Sequence, residues 1–264
     1  MNILFIGDIV AKQGRNIIAA LLKDLKDQYS IDYVIANGEN AAGGFGITPA
    51  LVQELHDMGI DIITTGNHIW EHKEIIPYLS TDDTIIRPMN ISLSAPGRGW
   101  TIMTKQDRQS IAVVNLIGRV FMPPAECPFH TSDTVIREIK SQYPDLKHIV
   151  VDFHAEATSE KQALAWYLDG KVTTVIGTHT HVQTSDETIL PSGTSCITDA
   201  GMTGVVDGVI GMDREQVISR FLTSIQRHFE PAKGHGELQG VVVTSDDTGA
   251  SKNIVRVKKR YGNI

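Results

Sequence analysis

Polar residues that can bind metal ions follow several hydrophobic segments of this chain. They are Asp8, Glu39, Asn40, Asn67, His154, His179 and His181. Glycines stand directly before three of these residues, at Gly7, Gly38 and Gly66, where a strand must turn sharply. Carboxylate, amide and imidazole groups together favour Zn, Mn or Fe over Ca or Mg. The set contains no thiolate, which argues against a structural zinc site.

Each of these residues alone has a simpler interpretation. Asp8 could cap a helix, Glu39 could be a surface charge, and the asparagines could be turn residues. His154 could be a hydrogen-bonded core histidine. His179 and His181 favour ligands, because residues two apart on an extended segment point the same way. The whole set exceeds what one tetrahedral ion needs, so it favours a pair of ions about 3.5–4 Å apart.

The elements that must position these residues follow from hydrophobic periodicity. The patterns predict strands over 2–7, 33–36, 61–65, 101–104, 110–116, 148–153, 172–177 and 194–198, and a final hairpin of 237–245 and 252–260. They predict helices over 15–29, 49–58, 72–79, 132–142, 159–168 and 213–229. The first third alternates strand and helix, which predicts parallel strands whose carboxyl ends share one edge.

The chain shows no internal repeat and no linker long enough to separate domains. We therefore expect one α/β domain over residues 1–264, with two sheets packed face to face and helices outside. Its 264 residues can bury a large core without disulfides, and the only cysteines are Cys127 and Cys196. The first residues carry no basic segment of a signal peptide, and cysteine usage makes a cytoplasmic location the expectation.

The net charge of −7 makes duplex nucleic acid and membrane surfaces poor partners. No apolar run is long enough to cross a bilayer. A small phosphorylated substrate remains compatible with this charge, because bound metal ions would reverse the local field. The sequence leaves the oligomeric state open, and a homo-oligomer is possible.

The motifs resemble those of the metallophosphoesterases, and more closely the YmdB-like family of bacterial cyclic-nucleotide phosphodiesterases. The segments that resemble the family's motifs are Gly7–Val10, Asn37–Gly44, Thr65–Trp70, Val151–Thr158, Gly177–Thr184 and Thr198–Gly204. The chain departs from the wider superfamily at Val10, where a histidine is usual, and at Glu39, where an aspartate is usual. The YmdB-like family shares both changes, and Asn40 is the substitute for the missing histidine.

The resemblance implies a calcineurin-like fold and hydrolysis of 2′,3′-cyclic or 3′,5′-cyclic nucleotides by a hydroxide bridging two metal ions. It implies iron first, with manganese or zinc as alternatives. One ion would be held by Asp8, Glu39, Asn40 and His181, and the other by Glu39, Asn67, His154 and His179. His68 would be the general acid that protonates the leaving oxygen.

Other interpretations stay open on the sequence alone. The protein could be a phosphomonoesterase, a protein phosphatase, or a metal-stabilised regulatory module without turnover. His68 could only orient the substrate, and its acidic partner could be Glu71 or a more distant group. Gly43–Gly46 is expected to be a rim loop, and Arg15 and Arg119 are candidate phosphate contacts. The glycine-rich segment 199–213 could cover the site or form a subunit contact.

Overall fold

A computed structural model describes residues 1–92, 94–226 and 228–263. Its strands are β1 (Asn2–Ile6), β2 (Asp8–Ile9), β3 (Tyr33–Asn37), β4 (Ile62–Thr64), β5 (Trp100–Met103), β6 (Ile111–Ile117), β7 (His148–His154), β8 (Thr174–Thr178), β9 (Thr188–Ile189), β10 (Ser195–Ile197), β11 (Met202–Val205), β12 (His235–Ser245) and β13 (Ser251–Asn263). Its helices are α1 (Ala11–Tyr29), α2 (Pro49–Asp57), α3 (Ile75–Tyr78), α4 (Pro128–Gln142), α5 (Thr158–Tyr167) and α6 (Arg214–Thr223).

The strands form two mixed sheets. The first has 7 strands in the order β2-β11-β12-β1-β3-β4, with β13 also paired to β12. In it β1, β3 and β4 run parallel, while β12 runs antiparallel to β1. The second has 6 strands in the order β5-β6-β7-β8-β10-β9, in which β6, β7, β8 and β10 are parallel. Because the central strands are covered on both faces, they read as continuous apolar runs.

The two sheets pack face to face, as the sequence predicts. One buried apolar cluster joins side chains of both, including Phe5 and Val241 from the first sheet and Val113, Val150 and Ile176 from the second. On the far side of the first sheet lie α1 and α2. The outer face of the second sheet is covered by α4 and α5. The result is a layered helix–sheet–sheet–helix arrangement.

The predicted elements are confirmed in type, and three short strands were missed. The structure adds β2, β9 and β11, which are too short to show periodicity. The predicted helix 213–229 was too long, since α6 ends at Thr223 and Ser224 takes a left-handed conformation with φ 59°. The predicted helix 72–79 is reduced to α3, a single turn. Residue 227 of the longer prediction lies outside the described residues.

Two local predictions about helix starts can be checked directly. Thr48 caps α2 by accepting a hydrogen bond from the Leu51 amide, with Pro49 at the first helical position, as predicted. Asp8 does not cap α1, because Val10 occupies that position and makes no side-chain capping bond. In the described part of the chain, no helix has the length and apolar character needed to span a membrane.

Candidate metal centre

The candidate site lies where the carboxyl ends of strands from both sheets meet. The first sheet supplies Asp8 at the start of β2, Glu39 and Asn40 in the turn after β3, and Asn67 in the turn after β4. The second sheet supplies His154 at the end of β7 and the pair His179 and His181 just after β8. Convergence at this edge is what parallel strands in α/β sheets produce.

Around His154, potential ligand atoms crowd together. Its Nε2 lies 3.0 Å from Glu39 Oε1, 3.0 Å from His179 Nδ1 and 3.2 Å from Asn67 Oδ1. Glu39, His154 and His179 each place one ligand atom within 4.8 Å of the others, which is the spacing of a metal-binding group. His154 is fully buried and Glu39 is almost so.

The hydrogen bonds of His154 direct its Nε2 into this cluster. The Thr178 hydroxyl donates to Asp152 Oδ1 at 2.7 Å, so its oxygen is left to accept from His154 Nδ1 at 2.9 Å. One ring proton is assigned to Nδ1 on this basis, so Nε2 is the nitrogen that would present a lone pair to a cation near Glu39 and His179. A hydroxyl or carboxylate behind a histidine is the usual way to orient a metal ligand.

The other two histidines are oriented by the same principle. His179 Nε2 lies 3.2 Å from Glu156 Oε2, which leaves Nδ1 facing His154. His181 Nδ1 lies 2.9 Å from the carbonyl oxygen of Ile210, so Nε2 faces the site. All three rings thus keep one nitrogen bonded to an outer acceptor and turn the other inward.

Asp8 carries a buried oxygen that hydrogen bonding does not satisfy. Its Oδ2 accepts the His179 amide at 3.1 Å, while Oδ1 has no hydrogen-bond partner among the described residues. Oδ1 lies 3.8 Å from His181 Nε2. Burial raises the pKa of this carboxyl, against the attraction of His181 and His154. A buried, unpaired carboxylate oxygen is costly, and a cation between these groups would remove that cost.

The ionisable groups create a field that favours positive charge at this point. Burial opposes ionisation of Glu39, but the neighbouring His154 outweighs it and brings the pKa of Glu39 to about 2. Burial lowers the pKa of His154, but Glu39 and Asp8 outweigh it and raise that pKa to about 9. Burial and His154 lower the pKa of His179 to about 3, which keeps its ring neutral. The carboxylates that attract a proton here would equally attract a metal cation.

Asn40 lies in the site with its amide nitrogen facing inward. Its Nδ2 is 3.1 Å from His181 Nε2 and 3.3 Å from Glu39 Oε1. An amide nitrogen of this kind is a donor and not a metal ligand. A ligand role requires the amide to be turned over, so that Oδ1 faces His181 and Glu39.

The segment that carries His179 and His181 is not extended, so that part of the sequence argument was wrong. Strand β8 ends at Thr178, and the two histidines take left-handed conformations with φ of 101° and 63°. Such conformations are unfavourable for residues other than glycine and persist only when surrounding contacts hold them. The two rings meet the site because of this turn and not because of strand alternation.

A buried ion pair holds the turn between the two histidines. Asp199 Oδ2 accepts from the Thr180 amide at 3.0 Å and from its hydroxyl at 2.8 Å. The same oxygen lies 2.8 Å from Lys161 Nζ, and both side chains are at most 3% exposed. The other oxygen, Oδ1, accepts the Gly201 amide at 2.9 Å. Lys161 and Asp199 therefore fix the residue that stands between His179 and His181.

His68 lies at the edge of the cluster and outside it. Its backbone amide donates to Glu39 Oε2 at 3.0 Å, while its ring is partly exposed and packs edge-on against Phe45 with the centroids 5.0 Å apart. Ring atom Nδ1 lies 3.5 Å from Glu71 Oε1. Of the alternatives for an acidic partner, Glu71 is the one that the structure brings near.

A cavity of about 550 Å³ opens over these residues. Its floor includes Glu39, Asn40, His68, His179 and His181, and its side carries a group of apolar residues. Cavities of this volume are typical of small-molecule sites.

Known proteins match this sequence over nearly the whole chain. The model of the family described as YmdB-like protein matches residues 4–257. The chain belongs to the YmdB-like family. A Bacillus subtilis protein named 2′,3′-cyclic-nucleotide 2′-phosphodiesterase is 46% identical over 259 residues, which cover 98% of this chain and 96% of that protein.

Solved structures of similar proteins share the fold of this YmdB-like chain. A hypothetical protein from Thermus thermophilus matches with a TM-score of 0.91 and 39% identity, over 98% of this chain and 99% of that one. A novel phosphatase from Mycoplasma pneumoniae matches with a TM-score of 0.89 and 35% identity, over 100% of this chain and 94% of that one.

For this YmdB-like chain, the predicted rim loop is confirmed, and the two predicted phosphate contacts are not. The rim loop lies where expected, since Gly44 and Phe45 line the cavity. Arg15 is not a phosphate contact here, because its guanidinium binds Glu54 at 2.8 Å and the Ala41 carbonyl at 2.5 Å. Arg119 is exposed and away from the cavity.

The segment 199–213 is partly a strand and partly a wall of the cavity. Residues 202–205 form β11, which the sequence analysis treated as loop. Val209, Ile210 and Met212 then line the cavity. Covering the site is therefore the alternative that the geometry favours, and the subunit contact stays a prediction.

Sequence reasoning missed the residues that orient the histidines. These are Asp152, Glu156, Lys161, Thr178 and Asp199. Asp152 left a usable signal, because it is a carboxylate on a buried strand and lies two residues before His154, on the same face. The other four residues contact the histidines, the turn between two of them, or each other, across long separations in the chain. No local sequence pattern therefore indicates their roles.

Proposed function

We propose that this protein is a metal-dependent phosphodiesterase that hydrolyses cyclic nucleotides, 2′,3′-cyclic or 3′,5′-cyclic, at a pair of metal ions. One observation carries the proposal: three histidines, each bonded outward through one ring nitrogen, turn their other nitrogen into one cluster that also holds the buried carboxylates of Glu39 and Asp8. A cation bound there would replace the proton that Glu39 and Asp8 now favour on His154 and would stabilise both carboxylates. The name of the Bacillus subtilis relative supports the choice of a cyclic nucleotide as substrate.

The proposed ligands fall into two groups that share Glu39. Asn67, His154 and His179 form one group, within the short distances given above. Asp8, Asn40 and His181 form the other, with His181 Nε2 3.8 Å from Asp8 Oδ1 and 3.1 Å from Asn40 Nδ2. Glu39 Oε1 is close to a member of each group, His154 and Asn40, so each group would hold one ion and Glu39 would serve both, with the Asn40 amide turned to present its oxygen. We propose iron, with manganese or zinc as alternatives, because mixed oxygen and nitrogen ligands suit all three.

Bound ions would activate a water molecule and neutralise charge on the phosphoryl oxygens. The chain itself supplies the rest. His68 borders the cavity and is positioned by its backbone bond to Glu39, so we propose that its ring donates a proton to the departing ribose oxygen. Glu71 near Nδ1 would orient that ring with Nε2 toward the cavity. We also propose that the two-sheet architecture is the calcineurin-like fold.

A panel of substrates tests the proposal. Metal-loaded protein should hydrolyse nucleoside 2′,3′-cyclic or 3′,5′-cyclic monophosphates faster than the corresponding monoesters or a phosphopeptide. Metal analysis of anaerobically purified protein should find more than one ion per chain. Fast turnover of monoesters with cyclic nucleotides untouched would overturn the phosphodiesterase proposal and favour a phosphomonoesterase.

Two substitutions separate the proposed roles. Glu39→Gln should remove most activity while the protein stays folded, because it weakens both groups of ligands at once. An unchanged rate would contradict a two-metal mechanism and leave the regulatory-module alternative.

His68→Ala should keep the metal content and slow cyclic-nucleotide hydrolysis about 10²–10⁴-fold. The loss should be far smaller for bis(p-nitrophenyl) phosphate, because its leaving group needs no proton. The control is His130→Ala, since His130 is an exposed residue of α4. An equal loss on both substrates would contradict the acid role.

A further inference from the structure

The cavity above the candidate metal centre has two unlike halves. Its floor is polar and holds four of the seven proposed ligands, Glu39, Asn40, His179 and His181, together with His68. Its side is formed by six residues that we call the apolar wall: Phe45, Val209, Ile210, Met212, Phe221 and Phe229. A phosphodiester and its metal ions need only the floor. The wall is therefore left for another part of the substrate.

The wall is assembled from four separate segments of the chain, one of which is Phe229, beyond the end of α6. Phe45 comes from the rim loop after β3, and Val209–Met212 come from the segment that also receives the His181 ring. Phe221 lies on α6, whose residues Val217, Arg220 and Phe221 all border the cavity at helical spacing. These segments meet at the cavity, and Phe45, Val209 and Phe229 also pack against a buried apolar cluster that includes Met212.

Three of the six wall residues are aromatic, and one of them, Phe45, lies directly beside the proposed general acid. Phe45 packs against the His68 ring with the centroids 5.0 Å apart. Phe229 carries the Arg220 guanidinium 5.4 Å from its ring centroid. Phe221 stands at the outer end with 82% of its surface exposed. Because its ring borders the cavity and is exposed, a flat apolar group in the cavity could stack on it.

We infer that the apolar wall receives the nucleobase of the substrate, while its cyclic phosphate lies on the polar floor. This inference rests on the proposed function. Every base offers an aromatic face, and stacking on side-chain rings contributes about 1–3 kcal/mol per base. A guanidinium above a ring can add to this stacking. The cavity volume of about 550 Å³ accommodates a mononucleotide.

The chemistry of the wall also determines how selective it is. Among the described residues that form or border the wall, Arg220 is the only one with a charged side chain, and the rest offer no paired donors and acceptors. A base edge is read by such pairs, so the wall does not discriminate strongly among bases. Purines, with the larger ring surface, bind more tightly than pyrimidines.

The test compares two cyclic phosphodiesters that share a five-membered ring and differ in the base. One is adenosine 2′,3′-cyclic monophosphate and the other is glycerol 1,2-cyclic phosphate, which has no base. Wild-type protein should show a kcat/KM at least tenfold higher for the nucleotide, as the lower part of the stacking range implies. Hydrolysis of both at equal kcat/KM would overturn the inference but not the proposed function. Hydrolysis of neither of these compounds, nor of adenosine 3′,5′-cyclic monophosphate, would overturn the proposed function.

A matched pair of variants assigns the effect to the wall. Phe221→Ala should raise KM for the nucleotide about tenfold with little change in kcat, and should leave the glycerol ester within twofold. Leu222→Ala is the control, because Leu222 is the next residue of α6, is 81% exposed and does not line the cavity. It should change neither substrate.

Three results would overturn the inference. One is an equal loss on both substrates, and another is an unchanged nucleotide KM in Phe221→Ala. The third is a change in oligomeric state by sedimentation in Phe221→Ala without any kinetic effect, which would assign the wall to a second copy of this chain.

Discussion

The buried ion pair of Lys161 and Asp199 predicts a large and specific cost when its cation is removed. Lys161→Met keeps the length and apolar stem of the side chain but leaves the Asp199 carboxylate buried without its counter-charge. Removal of one partner from a buried pair costs about 3–5 kcal/mol. We therefore expect Lys161→Met to lower the free energy of unfolding by about that amount.

A surface ion pair supplies the matched control. Lys171 lies 3.0 Å from Asp133, and these side chains are 41% and 35% exposed. Lys171→Met should cost no more than about 1 kcal/mol, because exposed pairs contribute little. Both variants are measured by urea unfolding of the same metal-free preparation, which separates the ion pair from metal binding.

The position of Asp199 makes the effect on the candidate site distinct from a general loss of stability. In Lys161→Met, Asp199 no longer holds the Thr180 turn firmly. The affinity of the site for metal should therefore fall about 10–100-fold, which is measured as the metal content that remains after dialysis. A second change, Asp199→Asn, keeps an acceptor for the Thr180 amide and removes the unpaired charge. The double variant should therefore be more stable than Lys161→Met alone. A cost in Lys161→Met no larger than in Lys171→Met, or no recovery in the double variant, would refute this reasoning.

Three further predictions follow from local contacts. Gly66→Ala should abolish metal retention, because a Cβ there would collide with Glu39 Oε2 and His154 Nε2, whereas Gly262→Ala meets nothing and should be neutral by metal analysis. Burial lowers the pKa of His148, so its contribution to stability is present above pH 6.5 and is lost as the pH falls below that value. The stability advantage of wild type over His148→Gln should thus shrink from pH 8 to pH 5 in urea unfolding, and a constant difference would contradict it. Burial, with Asp186 adding to it, raises the pKa of Cys196 to about 11. In a Cys127→Ser background, iodoacetamide at pH 8 should react roughly 100-fold more slowly with folded than with unfolded protein, and equal rates would contradict this.

Much of the fold follows from the sequence because its signals are local. Buried strands such as β1 and β3 are continuous apolar runs, and α1 carries Ile17, Ile18, Leu22 and Leu25 on one face. The strand β11 escaped prediction because its residues, Met202–Val205, have no strand periodicity and are held by pairing with β2 and β12. Its structure is imposed by tertiary contacts.

The candidate site was predictable to the level of residue identity but not of orientation. Residues at the ends of parallel strands converge whatever their side chains, which is why Glu39, Asn67 and His154 could be placed together. The left-handed turn at His179 could not be predicted, because it depends on Asp8 and Asp199 at distant positions. The inward Asn40 nitrogen likewise depends on contacts with His181 that only the folded chain makes.

The division of the candidate ligands between two sheets sets the order in which the site can be made during synthesis. Strand β1, which leads to Asp8, is flanked on one side by β12, and residues Asn2–Ile6 pair with Gly240–Thr244. When His181 has left the ribosome, every proposed ligand has been synthesised, but β12, the strand that pairs with β1, has not. We therefore expect metal ions to bind only after the β12–β13 hairpin has been synthesised and has paired with β1. Truncation before residue 240 would consequently yield a protein with all of the ligands and little affinity for metal.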